Sequence, residues 1–406
     1  MLKKIRPVKI QNINYNWPLQ EKSIASNIKN YYLNYKNGKN GLPDSIENLE
    51  KEFCKFNKNK YSLALSSCTA ALHIAYLALG IKRNDEVIIS NYTFPATAIP
   101  LFLIGAKPIL CDVDKSDANI DPENIEKLIT KKTKAITVTH WWGQPCDMEK
   151  ICKIAKKYNL KLIEDCAHSP GAKFRNKFVG TFGDIGCFSF DNNKLLASGE
   201  GGILVTNNYN YLQKAIILSD FGPRIYKKIK LPYLKNFIET GIGTKYRIHF
   251  LAAKIALIKL KKINQLNMNR KLAFDYFSKK LKKSKLLIAP KNKNFFTRGG
   301  YYGYKVIMKK NKFIGIKKFI DILKSKNVDA RRTVTPPLHL TKTFENKNIK
   351  KFFNKNYFSH KSKNLKNSEW FHKNHISFPS FYDNKHKKII DEYTRVILSI
   401  EKFLNI

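Results

Sequence analysis

Residues 61–97, YSLALSSCTAALHIAYLALGIKRNDEVIISNYTFPAT, decide the fold that this sequence predicts. They contain a short apolar strand, a helix with apolar residues at helical spacing, and a second apolar strand after a polar turn. The same alternation of strand and helix continues to the strand LKLIEDC at residues 160–166. Such alternation is typical of an α/β fold with a mostly parallel central sheet covered by helices on both faces.

The pattern changes twice after this region. Residues 185–207 contain two strands, IGCFSF and GGILVTN, with no helix between them. From about residue 250 the chain becomes a long, lysine-rich helical run, followed by mixed short strands and helices. The 406 residues are too many for most single cores. We therefore predict a large α/β domain over residues 1–255, and a linking helix with a smaller α+β C-terminal domain over residues 256–406.

Composition and charge exclude several classes of protein. The 43% hydrophobic and 26% charged residues are ordinary globular values, and they exclude a disordered, collagen-like or disulfide-framework chain. The formal net charge of +44 suggests nucleic-acid binding, but 65 of the 75 basic residues are Lys and only 10 are Arg. A dedicated nucleic-acid reader depends on Arg, so a solvated basic surface is favoured. Residues 221–406 carry +35 of that charge, and an acidic partner there remains the alternative.

The cysteines and the apolar runs point to a cytoplasmic protein. None of the seven cysteines forms a C-x-x-C pair, so we expect free thiols in a reducing compartment and no metal site. No apolar run approaches the roughly 18 residues that a membrane span needs. The basic N-terminal stretch lacks the apolar core of a secretory signal.

Chemically useful residues follow the predicted strands. Residues 67–71, SCTAA, open a helix whose N-terminus could hold a phosphate, although an ordinary Ser/Thr helix cap fits the same residues. Phe94 could stack on a flat cofactor or belong to the core. Asp165 could be a metal ligand, a base or the partner of a protonated ring nitrogen. Ligands bind at this edge of open α/β sheets.

Lys194 lies in a turn between two apolar strands, just before the glycine-rich stretch SGEGG. Three glycines in four residues indicate a backbone with positive φ or a close approach of another segment. A lysine framed in this way is a candidate for a desolvated, nucleophilic amine. A phosphate cradle, a stacking aromatic residue, a carboxylate and such a lysine, in this order, are what pyridoxal 5'-phosphate (PLP) requires.

At this point the sequence resembles a known family, the DegT/DnrJ/EryC1/StrS sugar aminotransferases of the fold-type I PLP enzymes. The resemblance extends from about residue 18 to the C-terminus. The matching stretches are SSCTAALHIAYLALGIKRNDEVIISNYTFPAT, GAKPILCDVD, TKAITVTHWWGQPCDM, LKLIEDCAHSPGA, GCFSFDNNKLLASGEGGILVTN and GTKYRIHFLAAKIALIKL.

The resemblance implies a role for each matching residue. Lys194 matches the lysine that binds the cofactor covalently and then shuttles the proton. Asp165 matches the carboxylate that keeps the ring nitrogen protonated, Phe94 the stacking aromatic residue, and His168 the residue beside the phenolic oxygen. The phosphate cradle is matched by Cys68, Thr69, Ala70 and Ser189.

The segment GTKYR, with Lys245 and Arg247, matches one that reaches the phosphate of the neighbouring subunit's cofactor, which implies a homodimer. The sequence also departs from the family pattern. Cys68 replaces the usual Gly of G-T-x-A, and Lys245-Tyr246-Arg247 replaces the usual N-Y-R, so the residue that makes the phosphate contact is open. Family members with His in place of the lysine are dehydratases, and Lys194 argues against that activity.

Four further residues are candidates for substrate binding. His140 and Trp142 follow a predicted strand, where they could line the substrate site or pack beneath the cofactor. Arg331 and His339 lie in the stretch VDARRTVTPPLH, which the resemblance places near the sugar-nucleotide site. An Arg there could hold a pyrophosphate, and simple surface charge is the alternative.

The resemblance implies a cytoplasmic aminotransferase that moves an amino group, from glutamate, to a keto sugar linked to a nucleotide. The product would enter polysaccharide or glycoconjugate biosynthesis. Amination of a keto-cyclitol and a PLP protein that is not an aminotransferase are the alternatives within the fold. A basic nucleic-acid-binding protein is the alternative outside it, and no binding motif supports it.

Overall fold

A computed structural model of the chain describes residues 5–9, 21–290, 295–332, 335–344, 365–382 and 386–406. Its strands are β1 Tyr61–Leu65, β2 Glu86–Ser90, β3 Lys107–Cys111, β4 Thr133–Thr139, β5 Lys161–Asp165, β6 Lys173–Phe174, β7 Lys177–Phe178, β8 Ile185–Ser189, β9 Gly202–Thr206, β10 Leu287–Ile288, β11 Phe296–Thr297, β12 Tyr304–Met308 and β13 His375–Phe378. Its α-helices are α1 Lys22–Asn34, α2 Asp44–Asn57, α3 Cys68–Ala78, α4 Ile99–Ile104, α5 Pro122–Ile125, α6 Met148–Lys157, α7 Tyr209–Ser219, α8 Pro223–Lys228, α9 Phe250–Lys261, α10 Ile263–Leu281, α11 Ile316–Ser325, α12 Lys366–Asn374 and α13 Lys387–Phe403.

A seven-stranded sheet with the order β1-β9-β8-β5-β4-β2-β3 forms the centre of the structure. The neighbours from β8 to β3 are parallel, whereas β8–β9 and β9–β1 are antiparallel. The predicted mostly parallel α/β sheet is therefore confirmed. The antiparallel pair β8–β9 arises because no crossover helix separates the two strands, so the chain returns directly beside itself.

Both faces of this sheet are buried. In β1, Leu63 and Leu65 pack into the core cluster of α3 and α7, while Ala64 between them packs into the cluster of α2 and α9. In β9, Leu204 joins the first cluster, and its neighbours Ile203 and Val205 join the second. Successive side chains of a strand point to opposite faces, so two apolar faces require helices on both sides.

A second core is formed mainly by residues beyond 270. The antiparallel sheet β10-β12-β13 packs with α10, α11 and α13 around it. The predicted boundary at residues 255/256 falls inside α9, and the division into two domains there stays a prediction. Among the described residues, no helix has both the length and the apolar character that a membrane crossing requires.

A buried ionic network joins α2 and α8 to the central sheet. The fully buried Arg224 hydrogen-bonds Glu50, and its Nη1 lies 3.3 Å from Asp220 Oδ2. Glu50 Oε1 also accepts the Ala64 N–H of β1 at 2.9 Å, and Lys228 Nζ lies 3.3 Å from Glu50 Oε2. Burial raises the pKa of Glu50, but the charges of Arg224 and Lys228 more than offset it, so the net pKa is lowered.

We expect Arg224→Met to destabilise the protein by about 3 kcal/mol, because Glu50 and Asp220 lose the buried cation that they share and keep only Lys228 and Arg247, respectively. The measurement is the midpoint of urea and thermal unfolding. Lys262→Met is the control, because Lys262 pairs with Glu21 at the surface, where such pairs contribute about 1 kcal/mol or less. Equal, small effects of both variants would contradict the structural role of the network.

Candidate active site

A cavity of about 670 Å³ opens at the carboxyl ends of the parallel strands, within the size range of small-molecule sites. One wall comes from the central sheet and its loops, and the opposite wall comes from β12, β13, residues 329–332 and Thr335. Nine of the residues that the sequence singles out line it: Cys68, Thr69, Phe94, Trp142, Asp165, His168, Ser189, Lys194 and Arg331. Phe94 has 57% of its surface exposed.

Lys194 follows β8 in a tight turn, where its backbone N–H donates to the Asp191 carbonyl at 2.9 Å. Its Nζ lies 4.4 Å from the centroid of the Tyr302 ring. Burial lowers the pKa of Lys194, against the opposite effects of Asp191, Cys68 and Asp165. A lowered pKa increases the fraction of neutral, nucleophilic amine near neutral pH.

Asp165 ends β5 at the floor of the cavity and is only 4% exposed. Its Oδ2 accepts a hydrogen bond from Thr97 Oγ1 at 2.7 Å, and its Oδ1 accepts the Ala167 N–H at 3.1 Å. Burial raises the pKa of Asp165, while these hydrogen bonds and the charge of Lys194 act in the opposite direction. A cation placed against this carboxylate would favour its ionised form.

His168 forms part of the wall beside Asp165. Its ring stacks on Tyr302, with ring centroids 4.1 Å apart and planes 10° apart. Burial lowers the pKa of His168 well below its usual value, so the ring is neutral near pH 7. Its Nδ1 accepts the Trp142 N–H at 3.4 Å. The proton of the neutral ring is then on Nε2, which makes His168 a hydrogen-bond donor at that atom.

The N-terminus of α3 reaches the cavity through Cys68 and Thr69. Ser67 Oγ accepts the Ala70 N–H at 3.0 Å, so the ordinary helix cap that the sequence allowed is present. The cap uses the Ala70 N–H, and Ala70 does not line the cavity. The other backbone N–H groups at the start of this helix fit an anion such as phosphate.

Gly202 of β9 lies directly beneath this helix start. A Cβ atom on Gly202 would lie 2.5 Å from the backbone N of Cys68 and from the backbone C of Ser67. Only glycine permits so close an approach of two backbones. The predicted reason for the glycine-rich stretch, a close approach or positive φ, is thus met at Gly202 and at Gly201, whose φ is +146°.

His140 does not line the cavity. Of the two roles that the sequence allowed, lining the substrate site or packing, its contacts fit packing. Its Nε2 lies 3.0 Å from Glu164 Oε2, and its Nδ1 accepts the Cys146 N–H at 3.1 Å. Glu164 also accepts the backbone N–H groups of residues 180, 182 and 183. His140, Glu164 and Cys166 lie close enough to share a metal ion, but these hydrogen bonds already occupy both ring nitrogens and both carboxylate oxygens.

His339 also lies outside the cavity lining. Its Nδ1 contacts the Asn91 side chain at 2.9–3.1 Å, and its Nε2 lies 3.2 Å from Glu369 Oε1. It thereby ties the end of β2 to α12. The sequence placed it near the substrate because of its position in the chain, whereas its contacts join two elements of the fold.

The segment with Lys245 and Arg247 packs beside the helix start of its own subunit. The Ser66 N–H donates to the Tyr246 carbonyl at 2.6 Å. Arg247 Nε donates to Asp220 Oδ1 at 3.0 Å, so its guanidinium is directed into its own subunit. Lys245 is exposed. Neither residue lines the cavity of the single chain.

Sequence reasoning missed two cations in the opposite wall, Arg270 and Lys305. Burial lowers the pKa of Arg270 to about 10 and that of Lys305 to about 7. Arg270 Nη1 donates to the Gly300 carbonyl at 2.5 Å. One signal was available for Lys305, because a charged residue interrupts the apolar strand YYGYKVIM.

Proteins of similar sequence are known. The sequence model of the DegT/DnrJ/EryC1/StrS aminotransferase family matches residues 26–397. GDP-perosamine synthase of Escherichia coli O157:H7 is 37% identical over 236 residues, which are 58% of this chain and 63% of that enzyme. The matched region thus spans less than two-thirds of that relative.

Two solved structures are also similar. The aminotransferase from Psychrobacter cryohalolentis superposes with a TM-score of 0.81 at 27% identity, covering 96% of this chain and 98% of that one. GDP-4-keto-6-deoxy-D-mannose-3-dehydratase of E. coli, solved with bound hydrated PLP, superposes with a TM-score of 0.80 at 25% identity, covering 94% and 99%. The fold-type I architecture is therefore confirmed.

We expect Gly202→Ala to weaken PLP binding at least tenfold, because the new methyl group pushes the start of α3 away from β9. The measurement is a titration of the protein with PLP, followed by absorbance. Gly315→Ala is the control, since its Cβ would meet open space. Unchanged PLP affinity in Gly202→Ala would show that the helix start does not form the cradle.

Proposed function

Because the chain belongs to the DegT/DnrJ/EryC1/StrS aminotransferase family of PLP-dependent enzymes, we propose that it transfers an amino group from glutamate to a nucleotide-linked keto sugar. The observation that carries the proposal is the convergence of Lys194, Asp165 and the start of α3 on one cavity. The similarity to GDP-perosamine synthase, an enzyme named for a GDP-linked amino sugar, supports a sugar nucleotide as acceptor.

The residues of the cavity fit PLP by their chemistry. We assign the phosphate to the backbone and side chains of Cys68, Thr69 and Ser189 at the start of α3 and the end of β8. The exposed Phe94 side chain would lie against the ring. Bound PLP supplies an electron sink that stabilises negative charge on the carbon next to the transferred amine.

Asp165 is assigned to the ring nitrogen. An ionised carboxylate at this atom keeps the nitrogen protonated, and the cation in turn overcomes the burial that raises the pKa of Asp165. Thr97 and Ala167 fix both carboxylate oxygens, so the group needs no reorganisation when the cofactor is present. His168 would donate its Nε2–H to the phenolic oxygen of the ring.

Lys194 is assigned to cofactor attachment and to proton transfer. With PLP bound, its Nζ would be the group that accepts the proton from the carbon bearing the donor's amine and holds it for return to the reacting system. Burial lowers the pKa of this amine, which favours the neutral form that accepts a proton. The Tyr302 ring, 4.4 Å from Nζ, limits the space through which the amine can move.

The wall opposite Lys194 supports an anionic substrate. Its cations Arg270, Lys305 and Arg331 line the cavity together with Arg332. The carboxylates Asp165, Asp191 and Glu200 also line the cavity, and Asp329 lies 3.8 Å from Arg331. The four cations on the side of β12 and β13 still outnumber this one carboxylate, which suits an anionic group of glutamate or of a sugar diphosphate turned away from Asp165.

The first test is the visible absorption of the protein after addition of PLP, followed by glutamate. We expect a visible band that bleaches with glutamate, and no such band in Lys194→Ala, because the variant lacks the amine after β8 to which the cofactor would be attached. Lys132→Ala, which removes an exposed lysine before β4, should behave like the wild type. A band that persists in Lys194→Ala would reject the assigned role.

We further propose a homodimer in which Lys245 completes the partner's phosphate site. Arg247 is held by Asp220 within its own subunit, whereas Lys245 is exposed and can reach a neighbour. A lysine near a phosphate dianion is electrostatically favourable.

A mixed dimer of Lys194→Ala and Lys245→Ala subunits tests this arrangement. If Lys245 acts across the interface, one site of the mixed dimer contains neither substitution, and half of the wild-type glutamate response should return. If Lys245 serves its own subunit, both sites carry a defect and no response returns. The assay is glutamate-dependent bleaching in co-expressed, differently tagged subunits. A fully active Lys245→Ala homodimer would exclude any role for this residue.

A further inference from the structure

Three buried threonines, Thr139, Thr93 and Thr97, form a row of hydrogen bonds that ends at Asp165, and we call them the threonine row. Thr139 Oγ1 lies 2.9 Å from Thr93 Oγ1, and Thr93 Oγ1 lies 2.9 Å from Thr97 Oγ1. Thr97 Oγ1 in turn lies 2.7 Å from Asp165 Oδ2. The row crosses the ends of three neighbouring strands, because Asp165 ends β5, Thr139 ends β4, and the other two threonines follow β2.

The charge of Asp165 fixes the direction of these hydrogen bonds. An ionised carboxylate can only accept, so the single hydroxyl proton of Thr97 is donated to Asp165. Thr97 Oγ1 must then accept the bond that it shares with Thr93. For the same reason, Thr93 Oγ1 must accept from Thr139. Every hydroxyl proton of the threonine row therefore points toward Asp165.

The threonine row opposes the effect of burial on Asp165. Burial raises the pKa of Asp165, and the hydrogen bond from Thr97 is the largest of the effects that lower it. A hydroxyl group that accepts a hydrogen bond becomes a stronger donor, because hydrogen bonds in a chain polarise one another. Thr93 and Thr139 therefore stabilise the charge of Asp165 without touching it.

The titratable groups that face Asp165 give it less constant support. They are Lys194, His140 and His168, together with Tyr76 and the thiols of Cys68, Cys166 and Cys187. Burial raises the pKa of Tyr76 and of the three thiols and lowers that of His168, so these groups are neutral near pH 7. Burial also lowers the pKa of Lys194, and the neutral amine no longer supports a carboxylate. The threonine row acts whatever the protonation state of Lys194.

We infer that the threonine row is a one-way hydrogen-bond chain that stabilises the negative charge of Asp165 for the ring nitrogen of PLP. All three threonines are positioning residues, since Thr93 acts through Thr97, and Thr139 acts through Thr93. The inference rests on the proposed function for the purpose of this charge. Its effect on Asp165, however, is already present in the protein before PLP is added. The unbroken series of three contacts, from the cavity edge at Thr139 to Asp165, carries it.

NMR of the full-length protein before addition of PLP, with ¹³C in the aspartate carboxyl groups, tests the inference. The pH midpoint of the Asp165 signal is followed, and Asp165→Asn identifies that signal. We expect Thr97→Val to raise the midpoint by about one pH unit, because the charged form loses a direct hydrogen bond. Thr93→Val should raise it by about 0.3 pH units, because only the polarisation of Thr97 is lost.

A double variant separates a chain from independent contributions. If Thr93 acts through Thr97, the midpoint of Thr93→Val/Thr97→Val equals that of Thr97→Val alone, whereas independent effects add. Thr93→Ser keeps the hydroxyl group and should have the wild-type midpoint. Thr137→Val is the matched control and should also leave the midpoint unchanged, because this equally buried hydroxyl on β4 contacts Tyr76 and not the threonine row.

Thr139→Val, at the cavity edge, provides the same test if Thr93→Val does not fold. An unchanged midpoint in the folded Val variants of Thr93 and Thr139, or additive shifts in the double variant, would overturn the inference. Bleaching by glutamate is recorded on the same proteins after addition of PLP. A wild-type protein that ignores glutamate, while the variants shift the midpoint as expected, would reject the proposed function and leave the threonine row as a support of the Asp165 charge.

Discussion

The rest of the structure depends on one constraint, the parallel pairing of the five neighbouring strands β8, β5, β4, β2 and β3. Parallel strands end at the same edge of a sheet, and β5 brings Asp165 there next to Thr139 of β4 and Cys187 of β8. The antiparallel return through β9 then sets Gly202 beside Leu65 at the end of β1. The pairing of the strands thereby fixes the relative positions of Asp165 at the floor of the cavity, the start of α3 beside Gly202, and the turn with Lys194.

Each buried carboxylate at this edge of the central sheet needs its own hydrogen bonds or cations to offset the cost of burial. Glu164, which is fully buried, faces away from the cavity and is held by His140 and three backbone N–H groups. Its neighbour Asp165 accepts two hydrogen bonds from the part of the chain that the structure describes, and burial raises its pKa. Glu164 therefore has a structural role, with both oxygens hydrogen-bonded, whereas the charge of Asp165 can respond to a nearby cation. Adjacent residues of one strand take these different roles because they point to opposite faces.

The cavity draws on two cores. The central sheet supplies Asp165, His168 and Lys194, while β12 and β13 supply the cationic wall around Lys305. Lys194 approaches the Tyr302 ring from one side, and the stacking of His168 on the same ring joins the two walls. A shift of the second core would therefore move Tyr302 against both groups that the proposed chemistry uses.

The sequence by itself determined the parallel α/β core and nine of the residues that line the cavity. Apolar periodicity is a local property, and residues after parallel strands meet at one edge whatever the details of packing. Only the tertiary structure decided that His140 binds Glu164 below the cavity, that His339 joins β2 to α12, and that Lys305 lines the cavity from the opposite wall. These outcomes depend on contacts between residues far apart in the chain, and desolvation, which sets the pKa of Lys305, exists only once both cores are assembled.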